Sequence, residues 1–324
     1  MKLVPEIRKK IKENIEKVIV GKNEVIDLLI TALLCDGHVL IEDVPGTGKT
    51  VLVKSLAASV DCSFNRIQFT PDLLPTDITG INFYNMKLSE FEFIPGPAFA
   101  NIILADEINR ATPKTQSGLL ECMEEHQVTI DGVSRKLSSP FMVIATQNPI
   151  ESMGVFPLPE AQLDRFLIKL KMDYPTRGES DSILKRFASD NPLDTLKPVV
   201  TKDEIIAARE ELKNVYIHDD LISYISAITE VSRTVEGVAL GLSPRGALSL
   251  MYVSRAHAAM EGRDYVIPDD IKRSAPFVLG HRLVLKSSAK VQKDAASKIV
   301  SEIMSKVIVP TEDLSGWNIS ARTE

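Results

Sequence analysis

Five short apolar runs, separated by helix-like sequence or long connections, constrain this chain most. They span residues 38–42, 64–69, 101–105, 140–146 and 166–171. Apolar strands alternating with helical segments imply a parallel sheet built from right-handed crossovers. Runs without polar alternation, such as Ile102-Ile103-Leu104-Ala105, predict strands covered on both faces. Helices are predicted at 5–18 and 22–35, ahead of the first strand. Beyond Asp173 the strand pattern fades, and amphipathic stretches follow at about 178–189, 202–212, 219–234, 244–260, 269–278 and 289–306. The chain thus reads as an α/β domain, 1–173, followed by a smaller all-α domain, 174–324. The boundary is expected at Tyr174-Pro175-Thr176-Arg177-Gly178.

The first run leads into Asp43-Val44-Pro45-Gly46-Thr47-Gly48-Lys49-Thr50, and a helix-like run opens at Val51. A glycine-rich turn in that place aims successive backbone N–H groups at an anion from a helix N-terminus. Pro45, Gly46, Thr47, Gly48, Lys49, Thr50 and Val51 are therefore candidates for nucleotide contact. Lys49 would reach the terminal phosphates, and the Thr50 hydroxyl would ligate Mg²⁺. The strict phosphate-loop spacing asks for glycine where this chain has Asp43. A purely structural glycine turn is the plainer alternative.

Other strand ends carry polar groups. The third run closes on Asp106 and Glu107, and ligands of parallel sheets collect at the carboxyl ends of strands. Asp106 would hold Mg²⁺ and Glu107 would orient or deprotonate the attacking water; alone, the pair also suits a helix start. The fourth run ends at Asn148-Pro149, where Asn148 can reach a γ-phosphate or serve as a turn residue. Arg165 precedes the fifth run. Facing away from its own phosphate loop, it would reach a neighbouring subunit's nucleotide, a service worth about 10³–10⁵ in rate; a surface Asp164–Arg165 pair is the alternative. Ser243-Pro244 reads as an N-cap and first helical residue. Arg245 in the first turn has the wrong sign for the helix dipole, so it needs an anion. That anion is either a γ-phosphate reached from the second domain or a nearby carboxylate.

Asp131-Gly132 predicts a hairpin turn across residues 128–137, pairing Ile130 with Val133. The connection from Pro71 to Ala100, with Phe83, Tyr84, Phe91 and Phe93, is also long. Both suit a surface that grips a substrate or, equally, edge hairpins.

A net charge of −6 argues against general coating of nucleic acid. Cys35, Cys62 and Cys122 lack metal or redox spacing and suit reduced thiols in the cytoplasm. The N-terminus lacks a signal-peptide core, and no run is long and apolar enough to span a membrane. The five histidines are scattered and carry no expected chemistry.

Taken together, these motifs resemble those of AAA+ ATPases, and among them the MoxR family of the helix-2-insert clade. The matching segments are Gly46 to Thr50, Gln68 to Gly80, Asp106 to Ala111, Ala145 to Pro149, Pro159 to Phe166 and Ser243-Pro244-Arg245. The resemblance runs from about Val20 to Leu283. It implies a phosphate-loop sheet of five parallel strands ordered 5-1-4-3-2, with helices on both faces and a helical lid behind. It implies that Asp106 and Glu107 are the metal and catalytic acids, Asn148 sensor 1, Arg165 the arginine finger and Arg245 sensor 2. Val20-Gly21 would line the adenine pocket. The 71–100 connection and the 128–137 hairpin would be the helix-2 insert and the pre-sensor-1 hairpin. The family is similar to molecular chaperones that form rings, usually hexamers, and act with von Willebrand factor A-domain proteins. The expectation is a Mg²⁺-dependent ATPase, with ATP between core and lid and the lid rotating as turnover proceeds. A nucleic-acid-stimulated motor and a nucleotide-gated scaffold without turnover are the alternatives.

Overall fold

A computed structural model describes residues 2–43, 46–148, 154–188, 190–290 and 294–310. Helices α1 (Leu3–Ile15) and α2 (Asn23–Leu34) precede a parallel sheet. Its five strands, in chain order, are Val39–Asp43, Phe64–Gln68, Ile102–Asp106, Met142–Gln147 and Ile168–Met172. All four pairings are parallel. Counting only these strands in chain order, the arrangement across the sheet is 5-1-4-3-2. The first strand lies between the fourth and fifth, which puts the turn after Asp43 near the middle of the sheet.

Alternate residues of each strand enter opposite cores, as a pleated strand requires. Val39, Ile41, Ile102, Leu104, Met142 and Ile144 face one core, while Leu40, Ile103, Ala105, Val143 and Ala145 face the other. Helix α3 (Lys49–Ser59) covers the first face with α1 and α2. Helices α4 (Pro75–Thr79) and α5 (Pro113–Glu125) cover the second.

Two antiparallel hairpins interrupt the crossovers. One pairs Gly80–Asn85 with Glu90–Pro95, and the other pairs Gln127–Ile130 with Val133–Lys136. Ile130 does pair with Val133 across the Asp131-Gly132 turn.

After α6 (Glu160–Leu163) and the fifth strand, the chain is mostly helical, although the expected all-α domain also holds one short antiparallel pair, Val238–Leu240 with Val284–Leu285. Helices α7 (Arg177–Arg186), α8 (Lys202–Lys213), α9 (Asp219–Ser232), α10 (Pro244–Met260) and α11 (Pro268–Leu279) follow. The expected 289–306 helix is two pieces, α12 (Ser287–Lys290) and α13 (Ala295–Lys306). A free hinge between sheet and lid is not what the packing provides. Residues of α8 to α11 join those of α1, α2 and the sheet in one continuous apolar core, from Val4 to Val307. Rotating the helical part as a whole would expose that shared surface to water, at about 25 cal/mol per Å².

Candidate active site

The carboxyl ends of the strands gather the expected groups. Gly48 is the N-cap of α3, and Gly46 and Gly48 adopt φ of +90° and +89°, where a side chain is strained. Among the described residues, a Cβ on either glycine would meet nothing within 4 Å, so with respect to these the turn is open above its backbone. The first N–H groups of α3 have no intrahelical partner and face that space with the positive end of the helix dipole. Lys49 and Thr50 occupy the first turn of α3. Val44, Pro45, Pro149 and the Asp43 side chain lie outside the described residues, so the expected contact of Pro45 has no placement.

Lys49 Nζ lies 3.3 Å from Asp106 Oδ1. Asp106 is buried and also accepts from the Thr146 hydroxyl at 2.7 Å and from Arg66 Nη2 at 2.7 Å. Burial pushes the Asp106 carboxyl up. The Thr146 hydroxyl, Arg66 and Lys49 outweigh it and hold the group ionised, below the usual carboxylate range. Glu107 takes the left-handed conformation, φ 57° and ψ 49°, which turns its side chain out of the strand. Its backbone N–H donates to Thr146 Oγ1 at 2.9 Å. Its carboxylate accepts from Gln68 Nε2 at 3.0 Å and pairs with Arg110 at 3.2 Å. Asn148 is buried one residue beyond Gln147, which pairs with Glu42 of the first strand.

These groups fit a phosphate with a hard cation. The loop is open, one hydroxyl and one ionised carboxylate flank it, and a lysine stands between. Mg²⁺ keeps several waters and uses one or two carboxylates plus phosphate oxygens, so it needs no protein cage. Among the described residues, no cluster of three His, Cys, Asp or Glu side chains could hold a metal.

Beside the loop lies a cavity of about 130 Å³ lined by Val20, Thr47, Gly48, Val51, Ile183 and Phe187. It suits an apolar ring, and Ile183 of α7 and Phe187 just after that helix supply part of its wall. Gly21 is adjacent but does not line it. At φ +76° it packs so closely on α7 that a Cβ would strike the Glu179 side chain.

Arg165 and Arg245 are elsewhere. Leu167 N donates to His38 O at 2.9 Å, so Arg165 lies where the strands begin. His38, just ahead of the first strand, meets Met123 O at 3.0 Å, which sets the end of α5 at the same edge. The Glu124 carboxylate there takes Arg165 at 2.9 Å and Arg245 at 3.3 Å. The phosphate loop is at the opposite end of a five-residue strand, about 16 Å long. Arg245 therefore does not reach its own loop from the lid; within the chain, its anion is a carboxylate. Arg165 forms no Asp164 pair, because Asp164 is engaged by Arg282 at 2.7 Å and by Ser243 Oγ at 3.0 Å.

Arg66, Gln68, Thr146 and Glu124 escaped the sequence reading. Gln68 opens one of the segments that carry the resemblance and ends its strand opposite Asp106, as Thr146 lies near the end of its own. A polar strand end was the available signal for these two. Nothing local distinguishes Glu124 from other helix-surface carboxylates.

Residues 38–168 match the profile of the ATPase family associated with various cellular activities, and residues 230–303 match an AAA lid domain. The chain is 52% identical over 300 residues to YeaC of Bacillus subtilis, covering 93% of this chain and 94% of the relative. It is 41% identical over 305 residues to chaperone MoxR1 of Mycobacterium tuberculosis, covering 91% and 80%. A crystal structure of a Cytophaga hutchinsonii protein provisionally assigned as an ATPase superposes with a TM-score of 0.88 at 39% identity, covering 96% of this chain and 98% of that one. The fold and the phosphate loop define an AAA+ nucleotide-binding protein. Within that class, the chain belongs to the MoxR family.

Proposed function

We propose that the chain is a cytoplasmic Mg²⁺-dependent ATPase, assembled as a hexameric ring, that remodels or matures protein complexes.

 Its expected partners are protein clients and a von Willebrand factor A-domain protein. The observation that carries this reading is the segregation of charge across the sheet. Lys49, Asp106 and Glu107 surround the glycine turn at one edge, while Arg165 and Arg245 share Glu124 at the other. Arginines so far from their own loop suit the nucleotide of a second copy, which would exchange Glu124 for phosphate.

In this reading the N–H groups of α3 and Lys49 bind the phosphates, and Val20, Ile183 and Phe187 bind the base. Thr50 and Asp106 would hold Mg²⁺, which when bound neutralises phosphate charge. Glu107, steered by Gln68 and Arg110, orients the attacking water and accepts its proton. Asn148 holds the γ-phosphate beside it. Arg165 and Arg245 of the neighbouring copy offset the charge that develops on transfer. In the second hairpin, Arg135 stacks on the Phe93 ring at 4.0 Å. That contact favours a protein client over nucleic acid, because one of the few basic groups there is already engaged.

Three substitutions test the proposal. Lys49→Ala should abolish ATP binding. Glu107→Gln should bind ATP and lose turnover. Arg165→Ala should remove the rise of activity per chain with protein concentration. Wild-type activity per chain that is independent of concentration would sink the shared site.

A further inference from the structure

The segment that carries Arg165 and the helix that carries Arg245 come from distant parts of the chain, yet one buried arginine joins them. Arg282 has a side chain only 2% exposed. Its Nε donates to Asp164 Oδ1 at 2.7 Å. Its Nη2 donates to Phe166 O at 2.8 Å and to Ser249 Oγ of α10 at 3.1 Å. Its Nη1 donates to Leu167 O at 3.2 Å and also meets Val278 O of α11. The second carboxylate oxygen of Asp164 accepts from the hydroxyl of Ser243, the N-cap of α10, at 3.0 Å. His281 Nε2 adds a bond to Phe166 O at 2.9 Å.

We propose that Arg282 is a positioning residue that sets Arg165 and Arg245 as one rigid pair for the nucleotide of a second copy of this chain. A planar guanidinium with five donors can fix several acceptors at once, which an ammonium cannot. Here those acceptors flank Arg165 on both sides, at Asp164, Phe166 and Leu167. Through Asp164 and Ser243 the same group fixes the helix start that carries Arg245. The two arginines then approach a phosphate together, with little reorganisation left to the moment of assembly. A buried charge of this kind is costly unless its partners are complete. Asp164, the carbonyls of Phe166, Leu167 and Val278, and Ser249 complete them.

This inference rests on the shared site proposed above, and the experiment separates the two. Arg282→Lys keeps the charge and loses the fork; Asp164→Asn keeps the shape and loses the charge; Ser243→Ala is the mildest change. Binding of a fluorescent ATP analogue reports on each variant's own phosphate loop and its fold. Arg282→Lys and Asp164→Asn are expected to lose about 10²-fold in kcat at saturating ATP, as for a displacement of about 1 Å, with KM unchanged. Ser243→Ala should lose less. Each is then mixed with Lys49→Ala chains, which lack a working loop but keep their arginines. Activity should recover, because a donor's arginines serve the variant's intact loop. Arg165→Ala mixed with Lys49→Ala is the control. If the control recovers and the analogue-binding Arg282 and Asp164 variants do not, or if their kcat is unchanged, the positioning role fails and the shared site stands. If the control fails too, both fall.

Discussion

At the scale of single residues, Thr146 sets the geometry of the acidic pair. Its hydroxyl donates to Asp106 and accepts the backbone N–H of Glu107, so one buried oxygen fixes both. Thr146→Val keeps the shape and removes both bonds. The expected cost is about 1–3 kcal/mol of stability and about a tenfold fall in kcat for each 1.4 kcal/mol of transition-state stabilisation lost. Turnover by the purified variant, beside its denaturant midpoint, checks this; a kcat within twofold of wild type would remove Thr146 from the positioning of Glu107. Asp106 and Glu107 were legible because two carboxylates end an apolar run. Gln68 and Thr146 were not, because a polar strand end acquires meaning only once register sets it beside Glu107 and Asp106.

At the scale of elements, the two hairpins act together. Asn82 donates to Asp131 at 2.6 Å, and Arg135 lies over Phe93, so the long insertion and the short hairpin brace each other. The outer hairpin leaves Phe83, Met86, Leu88 and Phe91 exposed. Its base depends on two glycines. A Cβ on Gly80 would lie 2.3 Å from Ile94 O, and one on Gly96 would lie 2.3 Å from Ile78 O. Gly96→Ala must therefore move backbone, at a cost of about 1–3 kcal/mol. Limited proteolysis should cleave between Met86 and Ser89 faster than in the parent chain, while ATP binding stays unchanged. An unchanged cleavage rate would show that the base tolerates the methyl. The Asp131-Gly132 turn was plain in the sequence because that dipeptide supplies positive φ at both positions. The bracing between hairpins was not, since it joins residues about fifty positions apart.

At the scale of the whole molecule, three buried histidines tie distant parts together as neutral groups. His38 accepts from Val143 N while meeting Met123 O, His257 meets Ser274, and His281 meets Phe166 O. Burial pushes His38 and His257 down to about 4, and His281 well below its ordinary value. Between about 6.5 and 4 the unfolded chain therefore binds protons that the folded chain refuses, so stability falls as pH falls through that window. Each group contributes a slope of about 1.4 kcal/mol per pH unit. Denaturant midpoints should drop steeply from pH 6.5 to 4.5; a flat profile would show that the histidines protonate in place. The depressed Asp27 and Asp106 carboxyls act in the same direction but later, because their contribution is lost only below the ordinary carboxylate range. The continuous core beneath sheet and lid belongs to this scale too, because rotating the lid as a whole would expose it to water.

The sequence by itself determined the parallel sheet, the glycine turn before α3, the acidic pair and the asparagine at the strand ends. Each is a local matter: an apolar run, a backbone that needs positive φ, a polar group where the run stops. Only the tertiary structure decided that Arg165 and Arg245 meet on Glu124, that Arg282 binds their segments together, and that the lid shares a core with the sheet. Those side-chain contacts join residues about 40 to 120 positions apart, and no local preference encodes which donor will meet which acceptor.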